Sequence, residues 1–207
     1  MMATTHALAG VVLAVVVAAV FPESAAGATP LPVLAAALGG LFPDFDLYAG
    51  HRKTLHFPVY FSALAAPALL VAAFAPTTLT LSVALFLASA ALHSVMDAFG
   101  GGLELKPWLG TSERAVYSHY HKRWIPPRRW IRYDGAPEDL LAAGVFALPA
   151  IYAFDGLVQT GVFVALGVSA VYVLLRKPMV VAAQTAVDAM PENVVERMPE
   201  RFVEDFR

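Results

Sequence analysis

Two aspartates and two histidines crowd into residues 39–56, GGLFPDFDLYAGHRKTLH, as Asp44, Asp46, His51 and His56. Apolar runs flank the stretch on both sides, and ionisable groups at a membrane edge are costly enough to imply a function. A further pair, His93 and Asp97, is four residues apart inside another apolar run. A helix there would place both side chains on one face, one turn apart and within shared reach of an ion. His6 sits at the matching depth of the first apolar run. After Pro43, the Asp44-Phe45-Asp46 step reads as an extended turn that aims both carboxylates the same way. Imidazole and carboxylate together suit zinc, iron, nickel or manganese. A hydrolytic ion also keeps an open position, where the pKa of bound water falls to about 7. The seven candidates His6, Asp44, Asp46, His51, His56, His93 and Asp97 exceed what one tetrahedral ion takes. They fit two divalent ions, or one ion with residues that orient its ligands and act as base, Asp46 among them. Zinc is the first choice, with manganese or another transition metal next. The structural alternative is that each His–Asp pair braces two helices and that Asp44 caps one.

These residues must be positioned by apolar elements. The chain is 58% hydrophobic and 14% charged, with mean hydropathy +0.64, against about 25% charged residues in soluble domains. Apolar runs fall at about 5–21, 30–42, 57–75, 79–100, 138–154 and 157–175. Crossing a bilayer as a helix takes roughly 17 to 25 residues, so the second run is short. Counting it nonetheless gives an all-α, polytopic membrane bundle of about six transmembrane helices. All 14 Lys and Arg then fall on the side that carries both termini, the 43–56 loop and the 101–137 loop. The opposite side holds Glu23 and Asp155 and no basic residue. The positive-inside rule makes that basic side, with both termini, cytoplasmic, in a multi-pass protein of the cytoplasmic membrane. A cleaved signal peptide ending near Ala25-Ala26-Gly27-Ala28 is the competing reading, but the residues ahead of the run lack the Lys or Arg of an n-region. Without cysteine there is neither a disulfide framework nor a thiolate ligand, so any metal must use nitrogen and oxygen.

The membrane-embedded domain spans residues 1–177, and residues 178–207 form a short amphipathic tail. Val194, Val195, Met198, Phe202, Val203 and Phe206 recur there at helical spacing, and Pro191 and Pro199 could each open a helix. Within the domain, residues 101–137 mix Trp108, Trp124 and Trp130 with six cations that follow Glu113. Such mixtures are usual at lipid headgroups. A functional reading adds that Arg114, Arg128 and Arg129 hold an anionic substrate bidentately above the metal site. His119 and His121, two apart, would point together if extended, as extra ligands or acid/base groups beside the bound substrate. Glu104, just beyond His93 and Asp97, is a second candidate general base.

Four motifs in order carry a family resemblance over roughly residues 1–110. They are Thr5-His6, the Phe42-Pro43-Asp44-Phe45-Asp46 step, the His51-Arg52-Lys53-Thr54-Leu55-His56 segment, and His93-Ser94-Val95-Met96-Asp97 ahead of Pro107-Trp108. Together they resemble the YdjM-like family, described as membrane-bound, LexA-binding, metal-dependent hydrolases. The sequence departs from the family pattern at Lys53, where the family has Gly, and at Phe57, where it has Ser. The resemblance implies a metal-dependent hydrolase with a regulatory protein partner. A remoter likeness to zinc-dependent phospholipases C and single-strand nucleases implies a phosphoester. The resulting expectation is a cytoplasm-facing His/Asp site acting on a phosphoester or lipid-like substrate drawn from membrane lipid, with no direct nucleic-acid ligand. A metal transporter or sensor is the first alternative and would need ligands near mid-span. A non-catalytic scaffold is the second.

Overall fold

The computed structural model describes residues 1–21, 29–47, 49–195 and 197. Glu23, the Ala25–Ala28 segment and the tail residues Met198, Pro199, Phe202, Val203 and Phe206 lie outside the described residues. The protein is mostly helical. Its main helices are α1 (Ala3–Val20), α2 (Leu31–Leu41), α3 (Pro58–Phe74), α4 (Thr78–Met96), α5 (Pro137–Ala153) and α6 (Gly156–Asp188). Among the described residues, three segments are long and apolar enough to cross a membrane: Ala3–Val20, Thr78–Phe99 and Gly156–Asp188. Helix α3 is a shorter apolar helix, and the 11 residues of α2 extend only about 16 Å at 1.5 Å per residue.

Proline and threonine set several starts. Pro58 and Pro137 occupy first-turn positions, where a missing N–H is no loss. Thr77 and Thr80 form a reciprocal capping box that opens α4. Helix α1 has no cap of its own and borrows one. Asp139, fully buried in the first turn of α5, accepts from the Met2 N–H at 2.7 Å and the Thr5 hydroxyl at 2.7 Å. It also accepts from the Gly135 N–H at 3.1 Å. One carboxylate thus ties the start of α1 to α5.

Helix α2 packs between α1 and α4, and glycine makes the approach possible. A side chain at Gly39 would meet the Phe86 backbone, and one at Gly40 would meet the His6 carbonyl. At Gly10 it would meet the Ala36 carbonyl. The main core is Leu8, Val11 and Ala14 of α1, Val33 and Ala36 of α2, Leu85 of α4, and Ala143, Ala147 and Ala150 of α5. Small residues dominate it, as close helix contacts in apolar surroundings require.

Two elements differ from the sequence expectation. Residues 101–137 contain a small antiparallel hairpin, β1 (Val116–Ser118) and β2 (Arg123–Ile125), with Val116 opposite Ile125. The Tyr117 N–H donates to the Arg52 carbonyl at 2.9 Å, so β1 also holds the 50–56 loop. Helix α6 does not stop at Lys177 but runs through Pro178 to Asp188. Arg176 and Lys177 sit inside it, over the ring of Trp108. Beyond Pro191 a short helix, α7 (Glu192–Val195), does form.

Candidate metal centre

Helix α2 ends in a 3₁₀ turn, Phe42–Asp46, and α4 in another, Asp97–Phe99. Both turns stop at the same end of the α1–α2–α4 layer, where the 50–56 loop folds over them. Four side chains converge there, Asp44, His56, His93 and Asp97, each offering one ligand atom within 4.8 Å of the others. The His56 and His93 Nε2 atoms are 3.2 Å apart. Asp97 Oδ2 lies 3.1 Å from the first and 3.4 Å from the second. Asp44 Oδ1 lies 3.5 Å from His93 Nε2 and 3.9 Å from His56 Nε2. Four donors bonded to zinc at 2.0–2.1 Å would sit about 3.3 Å from one another at tetrahedral corners. The five separations above run from 3.1 to 3.9 Å, close to that value, so the group could hold one such ion.

Tautomers strengthen the fit. The His93 Nδ1–H donates to the Gly40 carbonyl at 2.6 Å, which fixes its proton away from the cage. The His56 Nδ1–H likewise donates to Asp46 Oδ2 at 3.0 Å. Both Nε2 atoms then face each other and two carboxylates, an arrangement that a metal ion, or protons on the imidazoles, would satisfy. Ligating histidines are commonly held through the other ring nitrogen in this way. His56 and His93 are wholly buried, while Asp44 is partly open.

Electrostatics outside the helices agree. Burial alone would raise Asp44, but the hydrogen bond and charge of His93 outweigh it and hold the carboxyl at about 2. Burial also opposes charge on Asp46, yet hydrogen bonds from His51, His56 and the Leu55 N–H keep it well below the usual range. For His56, burial disfavours the cation, and Asp46 with Asp97 overcomes it and raises the pKa. The site attracts positive charge.

The remaining candidates surround the cage or lie away from it. His6 stacks on His93, with ring centroids 3.7 Å apart, and its Nε2–H donates to Asp97 Oδ1 at 3.1 Å. It positions Asp97, and its Nδ1 is buried without a hydrogen-bond partner among the described residues. The Met1 amino group also reaches Asp97 Oδ1 at 3.1 Å. Asp46 and Asp44 do not point together. A 3₁₀ turn has three residues per turn, so positions two apart diverge by about 120°, and Asp46 lies behind His56 instead. His51 Nδ1–H donates to Asp46 Oδ1 at 3.0 Å from the rim. Glu104 lines the adjoining cavity, its Oε1 bonded to the Thr111 and Ser112 N–H groups.

The loop residues are engaged elsewhere. Arg129 donates to the Gly110 and Ser112 carbonyls and to Glu113. Arg114 lies over the Trp124 ring, whereas Arg128 is tied only through its backbone N–H, to the Ala98 carbonyl, and its side chain is exposed. His119 and His121 occupy the hairpin turn, not a strand. His119 binds the Lys53 carbonyl at 2.6 Å and His121 binds Ser118 at 3.0 Å.

Sequence pattern missed two contributors. The Gly40 carbonyl has no side-chain signature. Arg52 carried a signal, its place between His51 and His56, but its charge served only to orient the chain. Its side chain is buried with Nε 3.5 Å from Asp97 Oδ2. Its φ is 58°, and Gly50 takes 95°, so these two residues turn the 50–56 loop. No protein-family model, curated protein or solved structure matches the chain.

Proposed function

We propose that this chain is a polytopic membrane hydrolase of the YdjM-like kind that uses one divalent ion, zinc foremost, against a phosphoester at the cytoplasmic face. The observation that carries the reading is the four-donor cage with both imidazole Nδ1 protons engaged outside it. Three helices long and apolar enough to cross a membrane support the membrane reading, and the six apolar runs with one-sided Lys and Arg of the sequence favour six crossings with both termini cytoplasmic. Asp44, His56, His93 and Asp97 would hold the ion, which when bound supplies Lewis acidity and lowers the pKa of a coordinated water.

The chain's own groups supply the rest. Asp46 keeps His56 in the tautomer that presents Nε2. His6 and Arg52 flank Asp97 and restrain its carboxylate. Glu104 lines the cavity, and its buried Oε2, which has no hydrogen-bond partner among the described residues, is the candidate proton acceptor. Ion carriage is the weaker reading, because it needs ligands deeper in the spans, whereas the cage sits where α2 and α4 end.

The test is elemental analysis of the detergent-purified protein beside His56→Ala and Asp97→Asn. One equivalent of metal in the wild type, lost in both variants, is expected, together with metal-dependent cleavage of bis(p-nitrophenyl) phosphate. Equal metal content in all three proteins would remove the cage from consideration.

A further inference from the structure

Three of the four cage donors ride on helical elements, and one does not. Asp44 belongs to the 3₁₀ turn that ends α2, His93 to α4 itself, and Asp97 to the 3₁₀ turn that follows it. His56 lies outside any helix, two residues ahead of Pro58 at the start of α3. It is carried by the 50–56 loop, whose backbone bends through φ 95° at Gly50 and 58° at Arg52. A non-glycine residue keeps such a φ only where its surroundings impose it. Inside the loop the Lys53 and Thr54 N–H groups both donate to the Gly50 carbonyl, at 3.1 and 3.0 Å. The turn thus closes without the Arg52 and Lys53 carbonyls.

The hairpin meets both carbonyls from outside. The Tyr117 N–H of β1 donates to the Arg52 carbonyl at 2.9 Å. Just past β1, His119 Nε2 lies 2.6 Å from the Lys53 carbonyl. A carbonyl only accepts, so that nitrogen carries the proton. The same imidazole packs against Phe57, the residue after His56, with ring centroids 4.7 Å apart, and against Tyr117 at 5.0 Å. The Lys53 ammonium lies over the Tyr117 ring, 4.9 Å from its centroid. His119 therefore grips the chain on both sides of His56, at Lys53 and at Phe57. His121, on the same turn, folds back on Ser118 instead.

An ion held by four donors leaves them one at a time, and the segment that opens at lowest cost sets the route. Helices α1, α2 and α4 are packed into the main core, so the 50–56 loop is that segment. We infer that His119 is the latch of the metal centre: through the Lys53 carbonyl and Phe57 it holds the 50–56 loop shut, keeps His56 on the ion and sets the rate at which zinc exchanges. His119 is a positioning residue, acting on the ion only through the loop. This rests on the reading of the cage as a cation site and adds how that site is kept closed.

The experiment uses the full chain in maltoside detergent, loaded with zinc, and zinc content is read first. Release of zinc to an excess of a chromophoric chelator is then followed in time. Amide hydrogen exchange across residues 50–56 is measured by mass spectrometry on the same samples. His119→Phe keeps a ring against Phe57 but loses the donor, and release should quicken about fivefold, the worth of one hydrogen bond. His119→Ala loses both contacts, and release should quicken about 30-fold. Exchange across residues 50–56 should be faster in both variants, with the wild-type zinc stoichiometry retained. His119→Gln, which keeps a side-chain N–H donor, should fall between His119→Ala and wild type. His121→Ala should release zinc within about twofold of wild type. Equal release from His119→Ala and wild type would overturn the latch. So would a His121→Ala rate matching that of His119→Ala, or faster release with unchanged exchange across the loop. Absence of zinc from the wild type would overturn the cage and this inference together, and the zinc content separates that outcome from a failure of the latch alone.

Discussion

Residues 39–100 and residues 101–137 both bring histidines, carboxylates and cations to the same end of the protein, yet they use them in opposite ways. In the first region, side chains from α2, α4 and the 50–56 loop point at one another, and their backbone-facing atoms are already satisfied. In the second, the charged groups reach outward to nearby backbone and to local partners, as Arg129 does with Gly110, Ser112 and Glu113. Density of ligand-type residues does not distinguish the two. What does is whether rigid elements end at a common point. A loop must satisfy its own backbone and draws on its polar side chains to do so, whereas the 3₁₀ turns that end α2 and α4 pair the Asp44 and Asp97 carbonyls with the Leu47 and Gly100 N–H groups and leave the two carboxylates to the cage.

The largest expected effect breaks the first region. Asp97→Asn removes a cage oxygen and the charge shared by His6, Arg52 and the Met1 amine. Zinc affinity should fall at least about 100-fold, read by competition against a chromophoric chelator. The double substitution Arg128→Gln/Arg129→Gln should leave it within about twofold. Equal losses in both proteins would erase the contrast between the regions.

Next is Asp46→Asn, which never touches the ion. Residues that orient a ligand typically contribute 10- to 100-fold in metal affinity, and Asp46 holds His56 and His51 at 3.0 Å each. A loss in that range, without a change in helix content by circular dichroism, is expected. No loss would mean that His56 is oriented by packing alone.

Asp139→Ala probes a carboxylate that works purely as structure. It would leave the Met2 N–H, the Thr5 hydroxyl and the Gly135 N–H without their acceptor. The cost is about 2 to 3 kcal/mol, seen as a lower thermal midpoint with zinc stoichiometry retained. A parallel loss of zinc would show that the start of α1, which carries His6, is part of the cage's support.

These residues also show what was legible before the fold was known. The six apolar runs coincide with α1 to α6 within a few residues at most ends, because length and hydropathy are properties of the local chain. His93 and Asp97 were legible as a pair through helical spacing. The direction of Asp46 was not, because Phe42–Asp46 winds into a 3₁₀ turn where an extended step was expected. The roles of Arg52 and Asp139 depend on partners 45 or more residues away, at Asp97 and Met2, and no local pattern encodes such distances. The continuation of α6 past Lys177 was hidden for a different reason. Arg176 and Lys177 read as a membrane-edge stop, but a helix can leave the bilayer without ending.

Asp134→Asn carries the smallest effect and sharpens the contrast from the side of the loop. Asp134 accepts from Arg176 Nε at 2.8 Å and Nη2 at 3.2 Å, and from the Tyr172 hydroxyl at 2.5 Å. Burial opposes its charge, but the Arg176 and Tyr172 hydrogen bonds outweigh burial and hold the carboxyl below its usual range. Because the folded pKa is depressed, the unfolded chain binds the proton more readily, and stability rises with pH through that interval. The contribution is complete above the ordinary carboxylate value of about 4 and fades as pH falls through the lower folded value. Wild type should therefore exceed Asp134→Asn by about 1 kcal/mol at pH 7, and the two thermal midpoints should converge below about pH 4. Zinc content at pH 7 should be the same in both, because this pair joins the loop to α6 and lies outside the cage. A gap that widens on acidification would mean that Asp134 is bound more tightly as the neutral acid, and the loop's charges would then need a role other than holding its own fold.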